Sequence, residues 1–259
     1  MLAALRRHWP EYLIEAALLG LFMVSACLFT LLLEHPASPA RAALDPPLLR
    51  RALMGLAMGL TAVALIYSPI GQRSGAHFNP AVTLTFLRLG RVAPVDAAFY
   101  IAAQFAGGLL GVLACGAFLG AALDDPSVGW VATRPGPDGP AVAFVAELLI
   151  SGLMMGAVLA CIARPRLERY AGLAAGMLLA LYITFESPLS GTSLNPARSL
   201  GSALPGGIWQ GWWIYLTAPT LGMLLAGEIA RRRWVTHCAK LHHTDRQRCI
   251  FCDAEAHRP

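Results

Sequence analysis

The sequence predicts an all-α membrane protein: six transmembrane helices plus two re-entrant half-helices, arranged as an inverted repeat. Three observations lead there. The 259 residues are 56% hydrophobic and only 14% charged, against about 25% charged in ordinary soluble domains, too little charge to clothe a water-facing surface. The apolar residues gather into six long runs. The tripeptide Asn-Pro-Ala occurs twice, as Asn79, Pro80, Ala81 and as Asn195, Pro196, Ala197, in matching places of two similar halves.

The apolar runs cover about 12–33, 52–67, 97–123, 141–163, 170–185 and 211–229. Crossing a hydrocarbon core takes about 20 helical residues, and the second and fifth runs fall short of that. The first follows a basic start, as a signal peptide would, but it is longer than a signal core and shows no good cleavage site, so it reads as an uncleaved first span. Two shorter pieces, 79–87 and 195–203, open with the triplets. At about 1.5 Å per residue each is roughly 13 Å long, near half the core, so two meeting end to end would cross it once. Asn is a good helix N-cap and Pro is favoured in the first turn. One such triplet is ordinary capping; two in matching places of a repeat say more. Irregular backbone at membrane depth is tolerated only where protein buries it or it lines an aqueous cavity. Both loops are therefore expected to fold inward, their half-helix N-termini abutting near the midplane.

The chain divides into a first half (1–123), a Pro/Gly-rich connection (124–140), a second half (141–230) and a polar tail (231–259). Three spans per half make the second half enter from the opposite side, an inverted repeat. Basic residues orient it. With both termini cytoplasmic, the inner segments hold Arg6, Arg7, Arg73, Arg88, Arg91, Arg164, Arg166, Arg169, Arg231, Arg232, Arg233, Lys240, Arg246, Arg248 and Arg258, fifteen of the twenty basic residues. That asymmetry favours both ends inside a plasma (inner) membrane. The net charge of +5 thus reads as a topology signal in short loops and not as a nucleic-acid surface. Gly55/Gly59, Gly107/Gly111, Gly116/Gly120, Gly152/Gly156 and Gly172/Gly176 recur four apart on the spans, which predicts close helix contacts.

Each half-helix N-terminus carries about half a positive charge. Two facing one point would repel cations, while the Asn79 and Asn195 amides would donate to a passing oxygen. The stretches "SGAHFNPAVTL" and "GTSLNPARSLGSAL" resemble the aquaporin, or major intrinsic protein, family, of bacterial type, over about residues 12–230. The resemblance implies a right-handed six-helix bundle, a homotetramer in membrane lipid with one pore per subunit, and passive passage of water and small neutral solutes. It implies that Glu15 and Glu147 accept hydrogen bonds from the re-entrant loops and that His77 is a structural lumen-side residue. Arg198 takes the place of the family's constriction arginine, in company with Thr192, Ile183 and Met58 (or Gly59). Strict water channels carry His at the place of Ile183, so the constriction is expected to be wider and more apolar. Ser199 and Ala203 look water-type and Leu216 glycerol-type. Glycerol, hydrogen peroxide, ammonia and neutral metalloid acids stand as alternative solutes.

In the tail, Cys238, His242 (or His243), Cys249 and Cys252 form a Cys-x3-His…Cys-x2-Cys pattern that suits a structural zinc; surface thiols, or lipidation of Cys238, are the other readings. Zinc is the one cofactor expected, and none is expected for transport. Cys27, Cys115 and Cys161 fall in apolar runs as small core residues. No nucleophile–base constellation or phosphate loop suggests an enzyme. A non-conducting scaffold and a metal-sensing membrane protein are the rival readings.

Overall fold

A computed structural model describes residues 1–234, 238–243 and 249–252; Arg246, Arg248 and Arg258, counted above for topology, lie outside them. Among the described residues all regular structure is helical. The α-helices are α1 (Leu2–Glu34), α2 (Pro39–Ala43), α3 (Pro47–Tyr67), α4 (Pro69–Ser74), α5 (Pro80–Arg88), α6 (Pro94–Leu119), α7 (Gly139–Ile162), α8 (Ala171–Phe185), α9 (Ser187–Ser190), α10 (Pro196–Gly206) and α11 (Trp212–Arg231). Among the described residues five helices are long and apolar enough to cross a membrane, α1, α3, α6 (with its 3-10 extension to Leu123), α7 and α11; the fifth of the six expected spans forms the shorter apolar α8, of 15 residues. Large apolar side chains such as Leu21, Leu60, Leu110, Leu153 and Met177 point outward from them, as lipid-facing residues must in a multi-pass membrane protein.

The two halves pack alike. In the first, α1 packs along α6 and touches α3; in the second, α7 packs along α11 and touches α8; α3 and α8 join the halves. The half-helices swap sides: α5 lies against α11 and α10 against α6. Each short helix is therefore held by a long helix of the other half.

Several boundaries differ from the apolar runs, for local reasons. Helix α1 begins ten residues early because its first turns are pinned: Tyr12 donates to Asp96 at 2.6 Å and His8 Nδ1 lies 2.9 Å from the same oxygen. Helix α3 gains its missing length by starting at Pro47, a proline suited to the first turn. Helix α8 stays at 15 residues, with a 3-10 turn (Glu168–Tyr170) leading into it. Helix α10 runs past 203 to Gly206, where Gly207 ends it in the left-handed conformation. The short helices α4 and α9 went unanticipated. Each starts with Ser-Pro and ends at Ser-Gly, "SPIGQRSG" and "SPLSG", a second internal repeat that marks the lead-in to each re-entrant loop.

Glycines make the close crossings, though not all five expected pairs do. A Cβ at Gly107 would sit 2.0 Å from the Ala16 carbonyl oxygen, and one at Gly59 2.5 Å from that of Gly176. Gly55, Gly111, Gly152 and Gly172 also face neighbouring helices. The Gly116/Gly120 pair does not: Gly116 makes room for the Trp130 ring, and Gly120 ends α6 at positive φ. Gly156 has nothing within 4 Å. Gly107→Val should therefore cost about 1–3 kcal/mol by forcing α1 from α6, while Gly156→Ala, with open space at its Cβ, should cost nothing and stabilise α7 by up to about 1 kcal/mol. Thermal unfolding of the two variants in detergent checks this, and equal melting temperatures would contradict the packing.

Candidate functional site

The site is built where the two re-entrant loops meet. Each loop leaves its short helix through a left-handed glycine, Gly75 (φ 100°) or Gly191 (φ 84°). Each then alternates into positive φ at non-glycine residues: Ala76 (54°) and Phe78 (28°) in the first loop, Thr192 (52°) and Leu194 (58°) in the second. Such residues cost on the order of 1–3 kcal/mol each and persist only where the surroundings hold them. Here buried carboxylates hold them, because the alternation turns successive N–H groups the same way. Glu15 accepts from His77 N (3.1 Å), Phe78 N (2.6 Å), Ser74 Oγ (2.7 Å) and Gln104 Nε2 (2.8 Å). Glu147 accepts from Ser193 N (2.5 Å), Leu194 N (2.9 Å) and Ser190 Oγ (2.9 Å). Both glutamates are fully buried, a position a carboxylate can keep only with its lone pairs used. Two tyrosines complete the match: Tyr100 donates to the Ser74 carbonyl and Tyr215 to the Ser190 carbonyl, both at 2.7 Å.

The triplets cap their helices. Asn79 Oδ1 accepts from Ala81 N at 2.9 Å, and Asn195 Oδ1 from Ala197 N at 3.0 Å and Arg198 N at 3.2 Å. Pro80 and Pro196 occupy the first helical position and are buried. The amides also do something the sequence did not suggest. Asn79 Nδ2 donates to the Leu194 carbonyl and Asn195 Nδ2 to the Phe78 carbonyl, each at 2.8 Å. Besides the donation to a passing oxygen expected of them, one N–H of each amide ties the two loops together. An amide NH2 has two donors, so one per Asn remains for a solute.

Two cavities adjoin this junction. On the side away from the termini lies one of about 240 Å³, lined by Met54, Met58, Ile183, Thr192 and Arg198 among others. On the terminal side lies one of about 90 Å³, lined by His77, Asn79, Asn195, Val158, Met223 and Leu241 among others. Phe22, Leu179 and Ser193 line both, so the two cavities lie next to each other on either side of the junction. Met58 lines the wider cavity, whereas Gly59 packs on the Gly176 backbone of α8. Met54, one turn away, joins Met58 on that wall; its spacing of four could have found it. Arg198 is half-buried, its Nη1 2.8 Å from the Val131 carbonyl. Trp130 and Val131 both carry positive φ (53° and 57°), turning connection 124–140 so that its carbonyl meets the guanidinium. The Thr192 hydroxyl is directed away from solute: it donates to Glu186 at 2.5 Å.

Three residues offered as solute markers stand elsewhere. Ser199, Ala203 and Leu216 line a small cleft behind α10, with Thr133 and Tyr215. Ser199 there bonds Ser193 (2.5 Å) and Thr133 (2.6 Å), bracing the loop. Sequence reasoning missed this brace and Glu186. His77 is buried with both ring nitrogens engaged, Nδ1 3.1 Å from Thr83 Oγ1 and Nε2 2.7 Å from the Ala239 carbonyl. Its second partner belongs to the tail, which lies against the terminal-side mouth. In that tail Cys238, His243, Cys249 and Cys252 converge, their ligand atoms all within 4.8 Å of one another. His242, chosen from the sequence, is not in the cluster; its ring packs on Tyr67 at 4.6 Å.

Two capped half-helices butting inside a six-helix bundle define a membrane channel architecture. Comparison with known proteins gives the family. The major intrinsic protein family model matches residues 7–229, and the chain belongs to that family. It is 38% identical over 171 residues to aquaporin NIP2-1 of Zea mays, covering 65% of this chain and 55% of that one. It is 36% identical over 181 residues to aquaporin NIP1-1 of Arabidopsis thaliana, covering 66% and 60%. The matched part thus spans less than two thirds of those relatives. The aquaglyceroporin from Plasmodium falciparum shares the fold, with a TM-score of 0.69 at 19% identity, over 87% of this chain and 96% of that one.

Glu147→Gln places an NH2 group among backbone donors and leaves one of them unmatched, which costs about 1–3 kcal/mol. Tyr215→Phe loses one hydrogen bond, about 0.5–1.5 kcal/mol. Chemical denaturation should rank them in that order, and a Glu147→Gln midpoint equal to the unaltered chain would contradict the assigned role.

Proposed function

We propose that this chain is a passive channel for water and small uncharged solutes, with charge excluded at the junction of α5 and α10. The observation that carries this is the junction itself. Two helix N-termini, capped by Asn79 and Asn195, face one another between two adjoining cavities that share Phe22, Leu179 and Ser193. Each presents about half a positive charge, and Arg198 adds a whole one further along. A cation or hydronium meets three positive groups in succession; a neutral oxygen meets donors. Water accepts from the spare Asn N–H and so points its own protons away, which breaks a proton wire.

The cavity that Arg198 lines supports a second reading within the same class. Met54, Met58 and Ile183 are aliphatic, so the constriction offers apolar surface to a carbon backbone and donors to its hydroxyls. Glycerol, hydrogen peroxide, ammonia and undissociated metalloid acids are compatible with such a wall. The solutes act as substrates of passage; no bound cofactor enters the mechanism.

Both termini are assigned to the cytoplasmic side of a plasma membrane. Arg73, Arg88, Arg91, Arg164, Arg166 and Arg169 on the connections of the terminal face support this. A homotetramer, with one pore per chain, is carried over from the family resemblance.

Stopped-flow osmotic assays on proteoliposomes test the proposal. Because the tail lies across one mouth, both the unaltered chain and Leu241→Gly are measured. Water permeability above the lipid background in at least one form is expected, and background values in both would overturn it. Ile183→His should lower the glycerol-to-water permeability ratio by narrowing the cavity that Ile183 and Arg198 both line. An unchanged ratio would remove Ile183 from the filter.

A further inference from the structure

The C-terminal tail does more than follow the last helix. Beyond Trp234 the chain returns to the first re-entrant loop and pairs with it. Leu241 N donates to the Gly75 carbonyl at 3.1 Å, and the Ala239 carbonyl takes His77 Nε2 at 2.7 Å. The Lys240 ammonium, 1% exposed, donates to the Gln72 carbonyl at 2.6 Å. Phe251 stacks on the His77 ring at 5.4 Å, nearly parallel at 4°. This docking places the Leu241 side chain, 6% exposed, in the wall of the narrow cavity that also holds Asn79 and Asn195. The passage therefore meets an aliphatic side chain from the tail just where it should open to the terminal side.

A segment this short has little core of its own, and small units of that kind are commonly stapled by a metal. The staple's ligands are present. Cys238, His243, Cys249 and Cys252 place one ligand atom each within 4.8 Å of one another, and the Cys238 and Cys249 sulfurs are 3.5 Å apart. Tetrahedral zinc with sulfur bonds of about 2.3 Å sets sulfurs roughly 3.7 Å apart, so the cluster needs only small adjustments to close on an ion. Three thiolates around a divalent ion leave one net negative charge. Lys240, buried in the segment between Cys238 and His243, supplies the opposite charge. Burial of that lysine, otherwise costly, then has a reason.

We propose that Cys238, His243, Cys249 and Cys252 bind a zinc ion that folds the tail into a plug, seating Leu241 in the terminal-side mouth of the passage. With the metal in place the tail closes the mouth; without it the tail loses its fold and the mouth opens. The gating half of this proposal rests on the channel reading above, whereas the metal site does not.

The test uses the full chain, purified and reconstituted under reducing conditions. Zinc content is measured by elemental analysis, and osmotic water permeability is measured with added zinc or with a zinc chelator. The expected results are one zinc per chain, permeability rising severalfold on chelation, and the rise reversed by zinc. Cys249→Ser/Cys252→Ser should lose the metal and stay open in both conditions. Leu241→Gly should keep the metal and be open in both. A chain that retains no zinc against mild dialysis overturns the site. Full zinc occupancy with permeability indifferent to chelation, and equal in Leu241→Gly, overturns the plug. If every form, including Leu241→Gly and the chelated chain, stays at lipid background, the channel reading fails and the plug with it; zinc stoichiometry still decides the site.

Discussion

Everything in this molecule hangs on satisfying backbone N–H groups in the middle of a membrane. A non-helical loop at that depth exposes donors that lipid cannot match and helices cannot absorb. Glu15 and Glu147 supply the acceptors, one for each loop. Their carboxylates require burial beside the loops, which dictates where α1 and α7 run. Their four loop N–H bonds require the backbone to alternate into positive φ at Ala76, Phe78, Thr192 and Leu194. That alternation, in turn, delivers Asn79 and Asn195 to the positions from which they cap α5 and α10 and cross-link the loops. The strain and its compensation are parts of one device.

The remaining architecture keeps that device closed. Close glycine contacts between α1 and α6, and between α3 and α8, bring long helices near enough to trap the loops. The exchange of half-helices, with α5 on α11 and α10 on α6, makes the junction a shared property of both halves. Each loop is held by the carboxylate of its own half, and its half-helix by a long helix of the other half. The larger cavity takes its character from what lines it: Met54, Met58 and Ile183, and Arg198, held by a carbonyl from connection 124–140.

Much of the framework was legible in the sequence because it is written as repetition. The two triplets, the six apolar runs and the paired glutamates all occur twice in the same order, and the structure places them in equivalent contacts. What escaped notice depends on distances that repetition does not encode. The second use of the Asn amides, as ties between loops, follows only once Phe78 and Leu194 carbonyls are seen to face across. Ser199 and Ala203 on α10 and Leu216 on α11, compared in the sequence with water-type and glycerol-type patterns, line a cleft apart from the two cavities at the junction, a placement that spacing does not encode. The His242/His243 choice could not be made from spacing, since Cys-x3-His and Cys-x4-His both reach an ion; Tyr67 takes the first ring. The lead-in helices α4 and α9 were legible after all, in the repeated Ser-Pro…Ser-Gly frame, but six and four residues are too short to register as helical periodicity.

The central claim is that the junction passes neutral molecules and stops charge. The most direct measurement is proton flux, read by an entrapped pH-sensitive dye under an imposed pH gradient, in the same Leu241→Gly vesicles whose water permeability is measured. A junction that stops charge gives water permeability well above the lipid background, with proton flux indistinguishable from that of protein-free vesicles. Proton flux that rises in step with water permeability would contradict it.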